Sequence, residues 1–337
     1  MPTPIKKIAI KRIRAAEFTV AGRPGGEIEL RRVNVVTGCN GAYKTSILEA
    51  ATASLLLLAN PEEVPSLSTI ASSLRMDDLW LYKLLNDGFE ISIDGVDFKG
   101  GLTPEELAQI AQQMPILAPR SPYTRGLQAQ NGRETAYLKV EYLPGQPRLD
   151  VTRAGKISIP SYNFVALSTP NPLAQPFIIS LTKLINYYRA AELFTKFLKE
   201  LEIKFVGLKT DEFDRQNIVV IAKNRDIPIH YLGSGYAALV LMVLAATRDI
   251  VIYDNVELHL HPWLMEKAAE LIANTQDVQW IISTQSREML QALLEKADLS
   301  QILLIETGAR GTLRLYDGET AYKALTKLDE DLRGNCP

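Results

Sequence analysis

The stretch 33–50, VNVVTGCNGAYKTSILEA, holds the residues whose types and spacing have the clearest chemical meaning. An apolar, β-branched run stops at Gly38, passes through a short loop of small residues and enters Lys44, Thr45 and an apolar helix. A loop that binds a polyphosphate needs backbone N–H groups wrapped around the anion, a helix pointing its positive N-terminal end at it, and a lysine to neutralise charge. Measured against G-x-x-x-x-G-K-[ST], Gly38, Lys44 and Thr45 stand at the right offsets, while Tyr43 occupies the second glycine position. Gly38 and Gly41 supply curvature, with Asn40 and Ser46 as further polar members of the same stretch. Lys44 can reach terminal phosphates, and the Thr45 hydroxyl can be offered to Mg²⁺. Tyr43 adds bulk where the backbone needs freedom or close approach. On this pattern alone, an ordinary strand, turn and helix stays open as the other reading.

A second candidate lies in DIVIYDNVELHLHPWL, where an apolar strand ends at Asp254. A carboxylate held beside a phosphate loop can bind Mg²⁺ directly or through water. A third strand end is Thr284-Gln285-Ser286. Ligands of parallel α/β sheets lie beyond the carboxyl ends of the strands, so the three ends together define one expected site. His259 and His261, with Asp254 and Glu257, also suggest a metal cluster, but they lack the i, i+4 helical pairing of a zinc motif. His230 reads as structural.

The elements that would position these groups follow from hydrophobic periodicity. Strands are expected at 8–13 and 27–30 around the turn-forming AGRPGG, then the strand feeding the loop, then a helix over 45–58 that stops near Asn60-Pro61. From 61 to about 160 the pattern predicts short amphipathic helices at 76–86 and 104–114, and hairpins at 89–98 and 135–160. The segment 115–133, rich in proline, glycine, serine and arginine, reads as a surface loop, with Arg120, Arg125 and Arg133 solvated, the weaker alternative being that they face an anionic partner such as DNA. An apolar stripe over 173–204 predicts a helix pair. Strands at 217–222 and 227–231 precede the turn Leu232-Gly233-Ser234-Gly235 and an apolar helix over 236–247. Strands at 250–253 and 278–283 alternate with helices at 262–273 and 287–297, the organisation of a parallel α/β sheet.

Composition sets limits on the function. The chain has 337 residues, 47% hydrophobic and 23% charged, a net charge of −2 and a pI of about 6.0. That fits a soluble globular protein of one elaborated domain or two lobes, without the basic surplus that announces nucleic-acid binding. Lys6, Lys7, Lys11, Arg12 and Arg14 alternate with Ile8, Ile10 and Ile13, which reads as the solvated face of a strand. Cys39 and Cys336 stand at opposite ends of the chain, so neither a disulfide framework nor a cysteine zinc site is expected. The N-terminus lacks the features of a signal peptide, and the apolar run 237–246 is too short to span a membrane. A cytoplasmic protein is expected.

VTGCNGAYKTS, YLGSGYAALV, VIYDNVELHLHP and IISTQS occur in this order. Together they resemble the phosphate loop, signature turn, Walker B strand and switch segment of ABC-type ATPase heads, specifically the SMC-related and OLD-like AAA ATPases. In that group the Walker B stretch reads D-E-P-E-x-x-L-H-P, which residues 254–262 match at Asp254, Glu257, Leu260, His261 and Pro262. The resemblance covers about 1–50 and 160–315. It implies an α/β P-loop NTPase fold of ABC/SMC-head type: a mostly parallel sheet flanked by helices, an N-terminal antiparallel β-lobe and a variable helical/β insertion. The expected segments are 1–60 for the lobe and phosphate loop, 61–160 for the insertion, 161–230 for a helical lobe and return strands, and 231–337 for the signature, Walker B and switch portion.

For function, the resemblance implies ATP held by Gly38, Asn40, Gly41, Lys44, Thr45 and Ser46, with Mg²⁺ on Thr45 and Asp254. Ser234 and Gly235 of one copy would face the nucleotide of a second copy. The departures fall where chemistry would occur. Asn255 replaces the usual glutamate, Gln285 stands where the family has a switch histidine, and Tyr236-Ala237-Ala238 lacks the polar residues that usually follow the signature. Asn255 can orient a water but cannot accept its proton, a loss of roughly 10²- to 10⁴-fold where general-base catalysis operates. Asn255, Glu257 and Gln285 are therefore the candidate catalytic residues, Glu257 as a substitute base or, on the family pattern, a structural residue. Two expectations stand: an ATP-dependent dimer switch with weak or absent hydrolysis, serving a DNA-repair or anti-phage-defence partner such as a nuclease, or a pseudo-ATPase acting as scaffold or regulatory subunit.

Overall fold

The computed structural model describes residues 4–143, 149–159, 161–168, 175–210 and 216–333. The apolar runs of the sequence become five adjacent parallel strands, in spatial order Phe164–Ser168, Ile250–Asp254, Gln279–Ser283, Val33–Gly38 and Ile302–Thr307. All five are buried on both faces, as parallel strands covered by helices must be. Thr312–Asp317 adds antiparallel at one edge, followed by the short strands Thr19–Val20 and Arg23–Pro24.

Helix Lys44–Leu58 is apolar on nearly every side and is buried accordingly. Its polar side chains are satisfied locally: Thr52 Oγ1 donates to Leu48 O at 2.7 Å and Ser54 Oγ to Ala50 O at 2.9 Å. Helix Ser234–Ala245 is also buried, apart from its exposed first residues. Helices Pro262–Asn274 and Arg287–Lys296 pack on each other, each following one of the strands that end at the expected site. The expected helix pair is Gln175–Leu184 and Tyr187–Phe197, with 173–174 outside the described residues.

A second sheet is wholly antiparallel. It runs Asp150–Gly155, Glu134–Glu141, Thr124–Asn131, Val96–Leu102, Phe89–Ile93, Lys7–Ile13 and Ala16–Glu17, with Glu27–Glu29 also on Lys7–Ile13. The N-terminal strands and those of the expected insertion thus share one sheet. A third, three-stranded antiparallel sheet joins Ile203–Thr210, Gln216–Ala222 and Arg225–Pro228. Across the described residues antiparallel pairings outnumber parallel ones, which corrects the expectation of a mostly parallel sheet. Hairpin connections, frequent in 7–29 and 89–155, pair neighbours antiparallel, and only the βα units build the parallel stretch.

Other expectations are also corrected. Segment 115–133 is not a loop throughout, because Thr124–Asn131 is an interior strand of the antiparallel sheet. Its Gly126 marks a close approach rather than a turn: a Cβ there would lie 2.9 Å from Leu107 Cδ2. Arg120 binds Glu141 and Arg125 binds Asn86, so neither is simply solvated, whereas Arg133 is exposed. The expected strand at 227–231 is a strand at Arg225–Pro228 followed by one tight helical turn. The turn of the expected 135–160 hairpin falls on 144–148, outside the described residues. The basic N-terminal strand is a solvated, charge-compensated face, with Lys7 paired to Glu27, Lys11 to Asp97 and Arg12 to Glu90. Among the described residues no helix is long and apolar enough to cross a membrane.

The antiparallel sheet has a buried ionic anchor. The Glu141 carboxylate lies 2.8 Å from Arg120 and 3.0 Å from the buried Lys139. Burial alone would raise its pKa, but hydrogen bonds from the Arg120 N–H, Lys139, the Arg120 side chain and Thr124 outweigh that and hold it at about 2. An acid depressed in the folded state stabilises above its unfolded value, and that contribution is lost as pH falls through the folded one. Glu141→Gln, which leaves Lys139 buried without its counter-charge, is expected to destabilise the protein by about 3–5 kcal/mol at neutral pH. The gap from wild type should shrink between pH 4.5 and about 2. Urea midpoints measured across that range check both; a gap independent of pH would remove Glu141 from this role.

Candidate functional site

Three strands, Ile250–Asp254, Gln279–Ser283 and Val33–Gly38, lie side by side and parallel, so their carboxyl ends meet at one edge of the sheet. At the third end the chain turns at Gly38, with φ +149°. A Cβ there would stand 2.1 Å from Thr307 Oγ1 and 2.4 Å from Thr307 O, so glycine is required by the neighbouring strand as well as by the turn. Gly41 follows at φ +81° with open space around it.

Tyr43 sits immediately before the helix at φ 63° and ψ 10°, the left-handed region. The backbone keeps the conformation that suits the missing glycine, and a tyrosine adopts it at a cost of about 1–2 kcal/mol. Edge-on packing against the buried Phe18, with ring centroids 5.8 Å apart, offsets part of that cost.

Beyond Tyr43 the N–H groups of Lys44, Thr45 and Ser46 have no acceptor within the helix, and its first turn carries no acidic residue. The positive end of a 15-residue helix therefore faces the loop, with no acidic side chain of its own first turn set against it. Lys44 is 5% exposed, and its Nζ donates to Gly38 O and Cys39 O, both at 2.8 Å. Burial lowers the Lys44 pKa, against the opposing fields of Asp254 and Glu257. A cavity of about 270 Å³ opens here, walled by Asn40 to Ser46 and closed by Arg14, Arg75 and Gln285.

Asp254, 2% exposed, ties the strand ends together. Its Oδ2 accepts from Thr45 Oγ1 at 2.8 Å and from Asn255 Nδ2 at 3.0 Å, while its Oδ1 accepts from Ser283 Oγ. Burial pushes the carboxyl up; hydrogen bonds from Ser283 and Thr45 and the charges of Arg75 and Lys44 reduce the rise without cancelling it. A buried carboxylate in that state gains from a further cation. The oxygens present, a hydroxyl and a carboxylate, are the hard donors that Mg²⁺ takes, so Thr45 and Asp254 fit that ion. No cluster of three His, Cys, Asp or Glu able to hold a metal occurs among the described residues, and His259 and His261 are exposed.

A chain of amides leads away from Asp254. Asn255, at φ 51°, donates its N–H to Ser283 Oγ at 2.8 Å, and its Oδ1 accepts from Gln285 Nε2 at 3.4 Å. The Gln285 N–H in turn donates to Glu257 Oε1 at 2.8 Å. Gly38, Asn40, Gly41, Lys44, Thr45, Ser46, Asp254, Asn255, Glu257 and Gln285 are thus brought into one neighbourhood.

Ser234 and Gly235 are not among the residues walling the cavity. They begin a helix beside the loop after Asp254, where a Cβ on Gly235 would meet His259 O and Leu264 Cδ1, each at 2.8 Å. Ser234 is exposed, as are Tyr231 and Tyr236 on either side of it and Trp263 next to Leu264.

Sequence reasoning misses three charged residues here. Glu49, fully buried on the loop's helix, accepts from Arg75 Nε at 2.9 Å and Nη2 at 3.0 Å and lies 3.5 Å from Arg14 Nη2. Arg75 Nη2 also donates to Ser46 Oγ at 3.1 Å. A charged residue inside an otherwise apolar helix is the one signal that could have revealed the cluster, since such a group needs a partner. Cys39 is disulfide-bonded, against expectation, since distance along a chain sets no limit on distance in space. Cys336 lies outside the described residues.

No protein-family model and no curated protein matches the chain. Among solved structures it is similar to the SMC head domain from Thermotoga maritima, at 16% identity and a TM-score of 0.40 over 94% of this chain and 99% of that one. It is also similar to an SmcHead bound to the C-winged helix domain of ScpA, at 13% identity and 0.47 over 95% and 100%. A third is an Smc head with an extended coiled coil bound to the C-terminal domain of ScpA, derived from Pyrococcus furiosus, at 11% and 0.46 over 98% and 100%.

The two loop glycines should respond differently to a methyl group. Gly38→Ala meets both backbone strain and the Thr307 carbonyl, and is expected to cost at least about 3 kcal/mol. Gly41→Ala, with nothing within 4 Å, should cost only about 1–2 kcal/mol from its positive φ. Denaturant midpoints of the two variants test the contrast; equal losses would contradict it.

Proposed function

We propose that the chain is an ABC/SMC-type, P-loop ATPase-like protein that binds Mg-ATP and uses it as a switch. The observation that carries this reading is the hydrogen bond from Thr45 Oγ1 to Asp254 Oδ2, which joins the start of the loop's helix to the end of a strand 209 residues later. It sets a hydroxyl, a buried lysine and a helix N-terminus at one cavity, with a carboxylate bonded to the hydroxyl. The N–H groups of the loop bind the phosphates, and Lys44 leaves the carbonyls of Gly38 and Cys39 for the terminal phosphates. Thr45 and Asp254 hold Mg²⁺, which, when bound, neutralises phosphate charge.

Ser234, exposed, and Gly235, half-buried, begin a helix away from the cavity and serve the nucleotide of a second copy. The exposed Tyr231, Tyr236 and Trp263 suit that contact, since aromatic side chains are favoured at interfaces. Closure of two copies on ATP is the switch. Its client is an effector such as a nuclease in DNA repair or anti-phage defence, with DNA contact left to that partner. A second reading, a scaffold without turnover, draws on Asn255: its amide is spent on Asp254 and Gln285, and it has no basic group for a water.

Calorimetry with Mg-ATP tests the leading reading. Lys44→Ala is expected to weaken binding by at least about tenfold, the worth of a charge-assisted hydrogen bond. Equal affinity in the variant, or no binding by the wild type, would remove the ATP reading. Mass measurement tests the switch: ATP should raise the dimer fraction of wild type, and Ser234→Arg should abolish that rise while Mg-ATP still binds the single copy. A dimer fraction indifferent to both ATP and the substitution would sink the two-copy arrangement.

A further inference from the structure

Position 43 could be filled by glycine at no backbone cost, yet it holds a tyrosine at φ 63° and ψ 10°. Strained backbone of this kind is held by the surrounding structure and gathers at ligand clamps and active sites. The support here is specific: Phe18, fully buried, meets the Tyr43 ring at an interplanar angle of 78° with centroids 5.8 Å apart. That contact braces the ring on one side, while Tyr43 stays half-buried and walls the cavity. Phe18 is too deep to touch a ligand; Tyr43 is not.

The rest of the wall has the opposite character. Arg14, Lys44 and Arg75 bring positive charge, the loop brings N–H groups, and among the described residues Tyr43 is the one aromatic side chain on the cavity. A bare polyphosphate would use the cations and the N–H groups and leave the ring idle. A nucleotide has two ends, phosphates that suit the cations and a flat heterocycle that stacks on an aromatic face.

We infer that Tyr43 is the platform on which the nucleobase stacks, so that the site takes nucleoside triphosphates ahead of bare polyphosphates, and purines ahead of pyrimidines. The inference rests on the reading that the cavity takes ATP, and it names a holder for the one part of ATP that the loop's N–H groups and Lys44 do not bind. Tyr43 and Lys44 are adjacent in sequence, but each side chain turns to its own support: Lys44 Nζ to Gly38 O and Cys39 O, the Tyr43 ring to Phe18. The base therefore lies on the Phe18 side of the phosphates. A ring already braced loses little freedom when a base stacks on it, which lowers the cost of binding. Purines, with two fused rings, offer it the larger face. Phe18 acts through Tyr43 and is a positioning residue.

Calorimetry on the full chain with Mg-ATP, Mg-UTP and Mg-tripolyphosphate, which carries the phosphates without a base, tests this. Tyr43→Leu, which keeps bulk and removes the aromatic face, should weaken ATP by at least about fivefold, the low end of what base–aromatic stacking supplies. Tripolyphosphate should change by less than about twofold in the same variant, and Tyr43→Phe should keep ATP affinity within about twofold. Tyr43→Gly removes the strain together with the ring, so folding is secure, and it should show the same selective loss. Wild type should prefer ATP to UTP, and both variants without the ring should narrow that preference. Unchanged ATP affinity in the Leu and Gly variants, or equal weakening of ATP and tripolyphosphate, overturns the inference and leaves the ATP reading intact. No ATP binding by wild type, whether or not tripolyphosphate binds, removes both.

Discussion

The site depends on one buried carboxylate. Asp254 ends a strand with both faces covered and would be poorly tolerated there without donors, yet it receives hydrogen bonds from Thr45, Ser283 and Asn255. These come from three separate places in the sequence, the loop's helix, the adjacent strand and the next residue. Satisfying that carboxylate therefore fixes the spacing of the strand ends and the start of the helix that points at the cavity. Burial pushes its pKa up more than those donors and the nearby cations pull it down, so a further positive charge would favour its ionised form.

The loop shows how a departure from a familiar pattern can conserve its physics. In the sequence Tyr43 looks like an obstruction; in the structure its backbone takes the left-handed conformation that a glycine would supply, and its ring rests against Phe18. The strain is local and is borne by packing with a residue from the N-terminal segment. The substitutions at 255 and 285 have a related logic. Two neutral amides can form a donor-to-acceptor chain running from Gln285 through Asn255 to Asp254, whereas a second carboxylate at 255 would stand beside Asp254 and repel it.

Much of this is legible before any coordinates. That Gly38, Lys44, Thr45 and Asp254 meet at neighbouring strand ends can be expected from their types and offsets, and the buried strands of the last third announce themselves by apolar runs. Arg14 and Arg75 do not. Arg14 follows a run of alternating cations whose other members are solvated, and Arg75 lies in a segment without any motif; only the buried Glu49 draws them together. The strand Thr124–Asn131 is hidden by composition, since its glycine and polar residues serve close packing between strands rather than a turn. Strand direction is hidden too, because whether two runs pair parallel or antiparallel depends on the path between them.

The Glu49 cluster bears on modularity. A boundary near residue 60 separates two styles of sequence, yet the carboxylate before it is neutralised by an arginine after it, and that arginine lines the cavity. Excising the segment beyond 60 would leave a buried charge short of its best partner, a defect on the order of 3–5 kcal/mol. The segment is thus not cargo that the parallel-sheet core carries. It is a portion of that core's wall, and grafting or trimming it would alter the electrostatics at the cavity even where no cavity residue of the first 60 had been touched.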